Sequence, residues 1–178
     1  EALASAAGAE VVREGEKGGP TRGVIDSREV REGDLFFGLP GERDDGGRFA
    51  AEALRAGAWG VCVSERWADE AAAADDGGSG WILSAEDPLA SLQALARHWH
   101  GALGARVVGI TGSTGKTSVK DICRAILPAE VHASPENFNT EIGLPLAVLS
   151  APDGTDVLVL EMGMRGPGQI GELCAIAR

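Results

Sequence analysis

Positive charge is scarce in this 178-residue sequence, and lysine is its rarest source. The formal net charge is −11, because 27 acidic side chains face 16 lysines and arginines, and the isoelectric point is near 4.7. A chain of this charge is poorly suited to the phosphate backbone of a nucleic acid. Three of the basic residues are lysines: Lys17, Lys116 and Lys120. A lysine inside a motif therefore calls for a specific explanation.

Two other shortages limit the class of protein. The sequence has no apolar run long enough to span a bilayer, and the small-residue stretch 1–7 lacks the basic and apolar regions of a signal peptide. The cysteines Cys62, Cys123 and Cys174 are odd in number and far apart. This pattern favours reduced thiols over a disulfide framework or a zinc site. We therefore expect a cytoplasmic protein.

The order of apolar segments predicts an α/β fold in two parts. Residues 1–83 alternate short apolar strands with helical segments and are predicted to form a small α/β domain, ending in a mobile loop and a short strand. Asp87 and Pro88 then predict the start of a long helix that leads into the second part. Residues 84–178 contain the apolar segments 107–110 and 157–160, which are typical of buried parallel strands. This second part is predicted to be a parallel-sheet domain that binds a nucleotide.

The stretch around Lys116 has the features of a phosphate-binding loop. Val107 and Val108 predict a strand, which a glycine-rich segment and a helix start follow. The glycines let the backbone turn tightly and bring its N–H groups close to an anion. Lys116 can reach a β- or γ-phosphate, and the Thr117 hydroxyl can bind Mg²⁺. The predicted nucleotide-binding residues are Gly112, Ser113, Thr114, Gly115, Lys116, Thr117 and Ser118.

The glycine spacing departs from the commonest form of this loop. Where that form has a glycine five residues before Gly115, this sequence has Ile110, and its first glycine is Gly109. A glycine-rich turn without a ligand is therefore an alternative. Lys116 favours the phosphate loop, because a lysine delivers a point charge where a guanidinium group would not fit. We expect Lys120, one helical turn later, to point away from the phosphates.

An acidic residue follows the most apolar segment of the chain. Residues 157–160 predict a central parallel strand, and Glu161 comes directly after it. Because ligands of parallel sheets bind at the carboxyl ends of the strands, we expect Glu161 to lie near Lys116 and Thr117. A carboxylate there is a natural Mg²⁺ ligand, so Thr117 and Glu161 are the predicted metal ligands. The alternative is an ordinary acid on the protein surface.

Several stretches of the sequence resemble the Mur ligases, the amide-forming enzymes of peptidoglycan synthesis. Residues 109–117 are similar to the ATP-binding loop of this family, which has glycines at this spacing. Residues 137–145 and 161–163 resemble the family members that add D-alanyl-D-alanine. The stretches that resemble the family's UDP-sugar-binding domain are 26–28, 33–36 and 41–46.

This resemblance implies substrates, cofactors and site residues. The cofactors would be ATP and Mg²⁺, and the substrates UDP-N-acetylmuramoyl-tripeptide and D-alanyl-D-alanine, joined through an acyl phosphate by an enzyme that is a monomer at full length. The resemblance places the catalytic groups on Lys116, Glu161, Asn137 and Asn139, and the metal on Thr117 and Glu161. The implied binding residues for the uridine diphosphate are Ser27, Arg28, Glu42, Arg43 and Asp44.

Two departures from the family pattern limit this reading. Arg165 and Gly166 stand where the family has a polar residue and a histidine. The family's central domain also continues to a metal-binding histidine and a carbamoylated lysine, and a third domain follows, so we expect this chain to be a fragment that is inactive alone. The alternatives are another Mur-type ligase, a folylpolyglutamate synthase-like ligase, a truncated nucleotide-binding module and a small kinase.

Overall fold

The computed structural model of the protein describes residues 1–42, 44–75 and 78–177. Contacts within the chain divide it into two compact units, Glu1–Ala94 and Leu95–Arg178. Both units combine helices with parallel strands, which confirms the predicted α/β class. The assignment of residues 1–83 and 84–178 to two different binding functions stays a prediction.

A five-stranded sheet forms the first unit, in the order β1-β5-β4-β3-β2. The first strand pairs antiparallel with β5, and all other neighbours are parallel. Helix α1 comes before the first strand, α2 and α3 follow β3 and β4, and α4 begins in this unit after β5. The strands are β1 (Glu10–Arg13), β2 (Arg22–Val24), β3 (Asp34–Phe37), β4 (Gly60–Val63) and β5 (Trp81–Ser84), and the helices are α1 (Ala2–Ala7), α2 (Ala50–Arg55), α3 (Glu65–Ala74) and α4 (Pro88–Leu103).

The central strands of this sheet are fully enclosed. Every residue of β3 and β4 is buried, and Phe36 and Phe37 have no exposed surface. Burial of a side chain of this size stabilises the fold by roughly 1.5–3 kcal/mol. Burial also raises the pKa of the Cys62 thiol to about 12, so this cysteine is an unreactive thiol at neutral pH.

Two features of the first unit differ from the prediction. Helix α3 runs for ten residues where the sequence had indicated a helix end and a mobile loop, because Ala68 and Ala71 pack into the core and alanine favours the helix. Strand β1 was not predicted. Its two valines stand between charged residues at the edge of the sheet, where the burial pattern alternates weakly.

A three-stranded parallel sheet forms the second unit, in the order β6-β8-β7. All five residues of β8 are buried, as expected of a central strand. The predicted strands at 107–110 and 157–160 are thus confirmed. The strands are β6 (Arg106–Ile110), β7 (Val131–Ala133) and β8 (Val157–Glu161), and the helices are α5 (Lys116–Ile126), α6 (Gly143–Leu149) and α7 (Gln169–Ile176). None of the described helices is both long enough and apolar enough to cross a membrane.

Candidate nucleotide-binding site

The glycine-rich loop joins β6 to α5 at the carboxyl end of the sheet in the second unit. It leaves the strand after Ile110 and enters the helix at Lys116. Gly115 has φ 77° and is the N-cap of α5, a left-handed conformation that disfavours any residue with a Cβ. Residues 111–115 are exposed, so their N–H groups and the positive end of the helix dipole are open to an anion.

Lys116 lies over this loop. Its Nζ donates a hydrogen bond to the Gly112 carbonyl oxygen at 2.8 Å. The ammonium is therefore held within the loop by a single neutral acceptor. A phosphate oxygen is a stronger acceptor for a charged donor than a carbonyl oxygen, so the side chain is placed to exchange the Gly112 contact for a phosphate.

Glu161 is held beside the loop by two side chains. It ends β8, pairs in register with Ile110 and is only 7% exposed. Its Oε2 accepts a hydrogen bond from the Thr117 hydroxyl at 3.0 Å, and its Oε1 accepts one from the Asn139 amide at 3.0 Å. The predicted proximity of Glu161 and Thr117 is confirmed, and the alternative of an ordinary surface acid is wrong.

The donor atoms at this point suit a magnesium ion. Thr117 and Glu161 present hydroxyl and carboxylate oxygens, which are hard ligands, 3.0 Å apart. Mg²⁺ commonly takes one or two protein oxygens and completes its octahedron with phosphate oxygens and water. Among the described residues, no group of three or more histidine, cysteine or carboxylate side chains is arranged to hold a metal alone. The fit is therefore to a metal that arrives with a phosphate ligand.

The two asparagines predicted for the site differ in placement. Asn139 contacts Glu161 through its side chain, and its carbonyl oxygen accepts a hydrogen bond from Gly163 N–H at 2.8 Å. Asn137 is exposed, and its backbone has φ 66°, a turn conformation that asparagine tolerates. Its side chain makes no hydrogen bond within the described residues, so the structure brings Asn139, and not Asn137, to the carboxylate.

Two residues near Glu161 were not expected from the sequence. Ser134 is 2% exposed, and its Oγ accepts a hydrogen bond from Glu161 N–H at 3.0 Å. Lys120, which was expected to point away from the phosphates, turns its side chain into the interior, and its Nζ donates to the Ser134 carbonyl oxygen at 2.9 Å. The signal for Ser134 was weak: it follows a strand of only three residues. The scarcity of lysine drew attention to Lys120, but nothing in the sequence indicated its burial, since lysine rarely lies inside a protein.

The predicted substrate residues of the first unit follow two adjacent parallel strands. Ser27 and Arg28 come after β2, and Glu42 and Asp44 come after β3, so they share one edge of the sheet. Arg43 lies outside the described residues. The described residues among them lie at an edge suited to a ligand, and their role in binding the substrate stays a prediction.

The charged groups on this edge are paired within their own loops. The Arg28 guanidinium forms an ion pair with Asp26 at 2.5 Å and, with the Arg28 N–H, lowers the pKa of that carboxyl group to about 2. Arg48 pairs with Asp44 at 2.7 Å and lowers the pKa of Asp44. Both ion pairs are exposed, so their net contribution to stability is small, and a ligand could displace either partner at little cost.

Known proteins of one family match this chain over most of its length. A family profile described as "Mur ligase family, catalytic domain" matches residues 24–98, and a second, "Mur ligase middle domain", matches residues 110–178. The chain belongs to the Mur ligase family. This membership agrees with the glycine spacing of its phosphate loop and with the carboxylate beside it.

Two curated relatives are named UDP-N-acetylmuramoyl-tripeptide--D-alanyl-D-alanine ligase. The Bacillus subtilis protein is 40% identical over 160 residues, which is 86% of this chain and 33% of the relative. The Mycobacterium leprae protein is 44% identical over 170 residues, again 86% of this chain and 33% of the relative. This Mur ligase chain therefore spans about a third of the length of the curated relatives it matches.

Solved structures agree with this assignment. The MurF ligase of Thermotoga maritima, in complex with ADP, superposes with a TM-score of 0.71 at 41% identity, over 88% of this chain and 35% of that one. The corresponding ligase of Acinetobacter baumannii gives a TM-score of 0.83 at 24% identity, over 98% of this chain and 38% of that one. The second likeness shows the shared fold alone.

Proposed function

We propose that this chain carries the substrate-binding and nucleotide-binding parts of a ligase that joins D-alanyl-D-alanine to UDP-N-acetylmuramoyl-tripeptide. The proposal rests on one observation: the side chains of Thr117 and Asn139 donate hydrogen bonds to the buried Glu161 carboxylate, directly beside the phosphate loop. The names of the relatives supply the substrates. The ADP in the Thermotoga maritima complex supports a nucleotide at this loop.

The proposed reaction has two steps. The terminal carboxylate of the tripeptide attacks the γ-phosphorus of ATP, which forms an acyl phosphate and releases ADP. The amine of D-alanyl-D-alanine then attacks the acyl carbon, loses a proton, and forms a tetrahedral intermediate. Collapse of this intermediate forms the amide and releases inorganic phosphate. Both steps gather negative charge at one place, so the site must compensate that charge.

The residues of the chain have distinct tasks in this scheme. Lys116 contacts the phosphate that is transferred and offsets its charge. Thr117 and Glu161 hold Mg²⁺, which when bound neutralises phosphate oxygens. Asn139 fixes the orientation of the Glu161 carboxylate through its amide hydrogen bond. Asn137 is proposed to line the site near the reacting groups, as the family resemblance implies.

The first unit is proposed to bind the uridine diphosphate of the sugar substrate. The proposed contacts are on the loops after β2 and β3, at the edge where ligands of parallel strands bind. Because the reaction uses ATP and a soluble nucleotide-linked precursor, we propose a cytoplasmic location. The proposed residues are Ser27, Arg28, Glu42, Arg43 and Asp44.

The test of this function uses the full-length protein that carries this chain. We expect phosphate release to require both UDP-N-acetylmuramoyl-tripeptide and D-alanyl-D-alanine. Lys116→Ala should lower the rate on the order of 100-fold or more, because a contact to the transferring phosphate is lost. Lys17→Ala removes an exposed lysine of the first unit and is the matched control.

Three results would contradict the proposal. If the activity of Lys116→Ala stays within a few-fold of wild type, the assignment of residues 111–117 as a phosphate loop is wrong. Turnover with a different amine acceptor would favour another Mur-type ligase or a folylpolyglutamate synthase-like ligase. Nucleotide binding without turnover of any acceptor would favour a non-catalytic module.

A further inference from the structure

Lys120 is the most enclosed residue of α5, although it carries a charge. It is 4% exposed and is the one buried residue of this helix, whereas Val119, Ile122 and Ile126 are 46%, 56% and 70% exposed. Burial of an ammonium group costs free energy unless the charge is hydrogen-bonded or paired. A helix that exposes three apolar side chains and buries a lysine therefore needs a specific reason for the lysine.

The contacts of Lys120 lead to the candidate metal ligand. Its Nζ donates to the Ser134 carbonyl oxygen at 2.9 Å, and within the described part of the chain it forms no ion pair with a carboxylate. The hydroxyl of Ser134 accepts a hydrogen bond from the Glu161 N–H at 3.0 Å. Ser134 N–H donates to the Val159 carbonyl oxygen at 2.9 Å, which ties Ser134 to β8 as well. Lys120, Ser134 and Glu161 thus form one buried chain of hydrogen bonds.

One face of α5 is linked both to the side chain and to the main chain of Glu161. Thr117 and Lys120 are three residues apart in the helix and so lie on the same face. The Thr117 hydroxyl contacts the Glu161 carboxylate, and Lys120 holds the serine that contacts the Glu161 main chain. The start of the same helix carries Lys116. A shift of Lys120 would therefore move the carboxylate relative to the phosphate loop.

We propose that Lys120 is a positioning residue that acts through Ser134 to hold the Glu161 carboxylate where it binds the metal of the metal–nucleotide complex. The proposal rests on the function proposed above, since it takes Glu161 as a metal ligand. Outer-shell partners of a metal ligand typically contribute about 10- to 100-fold to metal affinity. Lys120 is enclosed and does not reach the exposed loop, so its loss should weaken metal binding while it leaves metal-free ADP binding unchanged.

The experiment measures metal binding directly, with Mn²⁺ as the probe. Mn²⁺ is added to the full-length protein with saturating ADP, and free and bound Mn²⁺ are distinguished by their electron paramagnetic resonance signals. Lys120→Met keeps the length of the side chain and removes its charge and its donors. We expect its Mn²⁺ dissociation constant to rise about tenfold. Arg124→Met removes an exposed positive charge one turn later on the same helix and should stay within about twofold of wild type.

Two further variants separate positioning from folding. Ser134→Ala keeps the carbonyl oxygen that Lys120 contacts and removes the hydroxyl that Glu161 contacts, so it should weaken Mn²⁺ binding in the same way. The double variant that combines Lys120→Met with Ser134→Ala should lose less Mn²⁺ affinity than the product of the two single losses, because both residues act on Glu161 along one path. Lys120→Gln keeps a hydrogen-bond donor and should recover part of the affinity that Lys120→Met loses.

Each outcome decides the proposal. A Lys120→Met protein with wild-type Mn²⁺ affinity, whatever its melting temperature, would overturn it, because the lysine would then serve the fold alone. If Lys120→Met cannot be purified, Ser134→Ala and Lys120→Gln with wild-type affinity would overturn it, and weakened binding in both would support it. Wild-type protein that binds no Mn²⁺ with ADP would instead overturn the proposed function, and this inference with it.

Discussion

At the scale of single residues, the Glu161 carboxylate is the group whose chemistry can be separated most cleanly from its packing. Glu161→Gln keeps the size of the side chain and removes the charge. We expect the Mg²⁺ concentration for half-maximal activity to rise by roughly 10-fold or more, since an amide oxygen is a weaker metal ligand than a carboxylate. A magnesium titration of the full-length protein measures this shift.

The control for this variant is Glu130→Gln, at an exposed position of the same unit. It removes the same charge without touching the loop. If the magnesium curve of Glu161→Gln coincides with those of wild type and of Glu130→Gln, then Glu161 is a bystander. The proposed role of Thr117 as a metal ligand would then also be wrong, because its hydroxyl oxygen lies 3.0 Å from the Glu161 carboxylate and would bind the same ion.

His132 should make the second unit sensitive to mild acid. Burial, reinforced by the nearby charge of Arg124, lowers the pKa of this half-buried side chain below its ordinary value of 6.5. The unfolded state then takes up a proton before the folded state does. The contribution of neutral His132 to stability is therefore fully present above pH 6.5 and is lost as the pH falls from there through the lower folded pKa.

The measurement is the thermal unfolding midpoint of wild type and His132→Gln between about pH 7.5 and about pH 5.5. We expect the variant to lose less stability over this range, because glutamine can still donate to the Ala147 carbonyl oxygen that His132 contacts at 3.1 Å and cannot be protonated. His98→Gln, at an exposed position, should follow wild type. Equal losses in wild type and His132→Gln would show that other groups carry the acid sensitivity.

The residues of the site differ in how far the sequence could reveal them. Lys116, Thr117 and Glu161 could be singled out from the sequence. The first two begin the helix after a glycine-rich loop, Glu161 ends a buried strand, and the chemistry of a phosphate calls for these residue types. Ser134 and Lys120 could not, because their placement depends on a contact between α5 and the end of β7. A lysine three residues after Thr117 is read as exposed until the neighbouring strand is in place.

At the scale of elements, the turn before α6 depends on a glycine. A Cβ at Gly143 would lie 2.7 Å from Phe138 Cα, a distance that real side chains do not adopt. We expect Gly143→Ala to destabilise the protein by about 1–3 kcal/mol, since the backbone of residues 137–143 must shift. The shift would also displace Asn139, so magnesium dependence should change together with stability.

Gly101→Ala is the matched comparison, because this glycine also lies in a helix but has open space around its Cα. It should stabilise the protein by about 0.5–1 kcal/mol, the usual gain when alanine replaces glycine in a helix. Thermal or urea unfolding of both variants measures the difference. Equal effects of the two substitutions would show that the turn has more room than the structure gives it.

Elements were predictable where periodicity was strong and burial was complete. The central strand β8 and the capped start of α4 are in this class, and Asp87 accepts hydrogen bonds from Leu89 and Ala90 N–H. Strand β6 was also predictable, although it lies at the edge of its sheet and only Ile110 is buried in it. Strand β1 and the full length of α3 were not. An edge strand needs only weak alternation, and an alanine-rich segment of low hydrophobicity reads equally well as a helix or as a loop.

At the scale of the whole molecule, the two units are proposed to bind different ligands, and an acidic chain must bind both through local groups. Hydrogen–deuterium exchange on the full-length protein can map each footprint separately. We expect the UDP-linked substrate to slow exchange in the loops after β2 and β3, near Ser27 and Asp44. ADP with Mg²⁺ should slow exchange in residues 111–117 and leave the first-unit loops unchanged.

Arg28→Ala tests the first footprint, because its exposed guanidinium can exchange the Asp26 carboxylate for a phosphate. We expect the concentration of the UDP-linked substrate that gives half-maximal protection to rise roughly 10-fold, while the ADP footprint stays intact. Arg31→Ala, an exposed arginine of the same segment, should leave both footprints unchanged. UDP-dependent protection confined to residues 111–117 would mean that both nucleotides use the phosphate loop, and it would remove the assignment of substrate binding to the first unit.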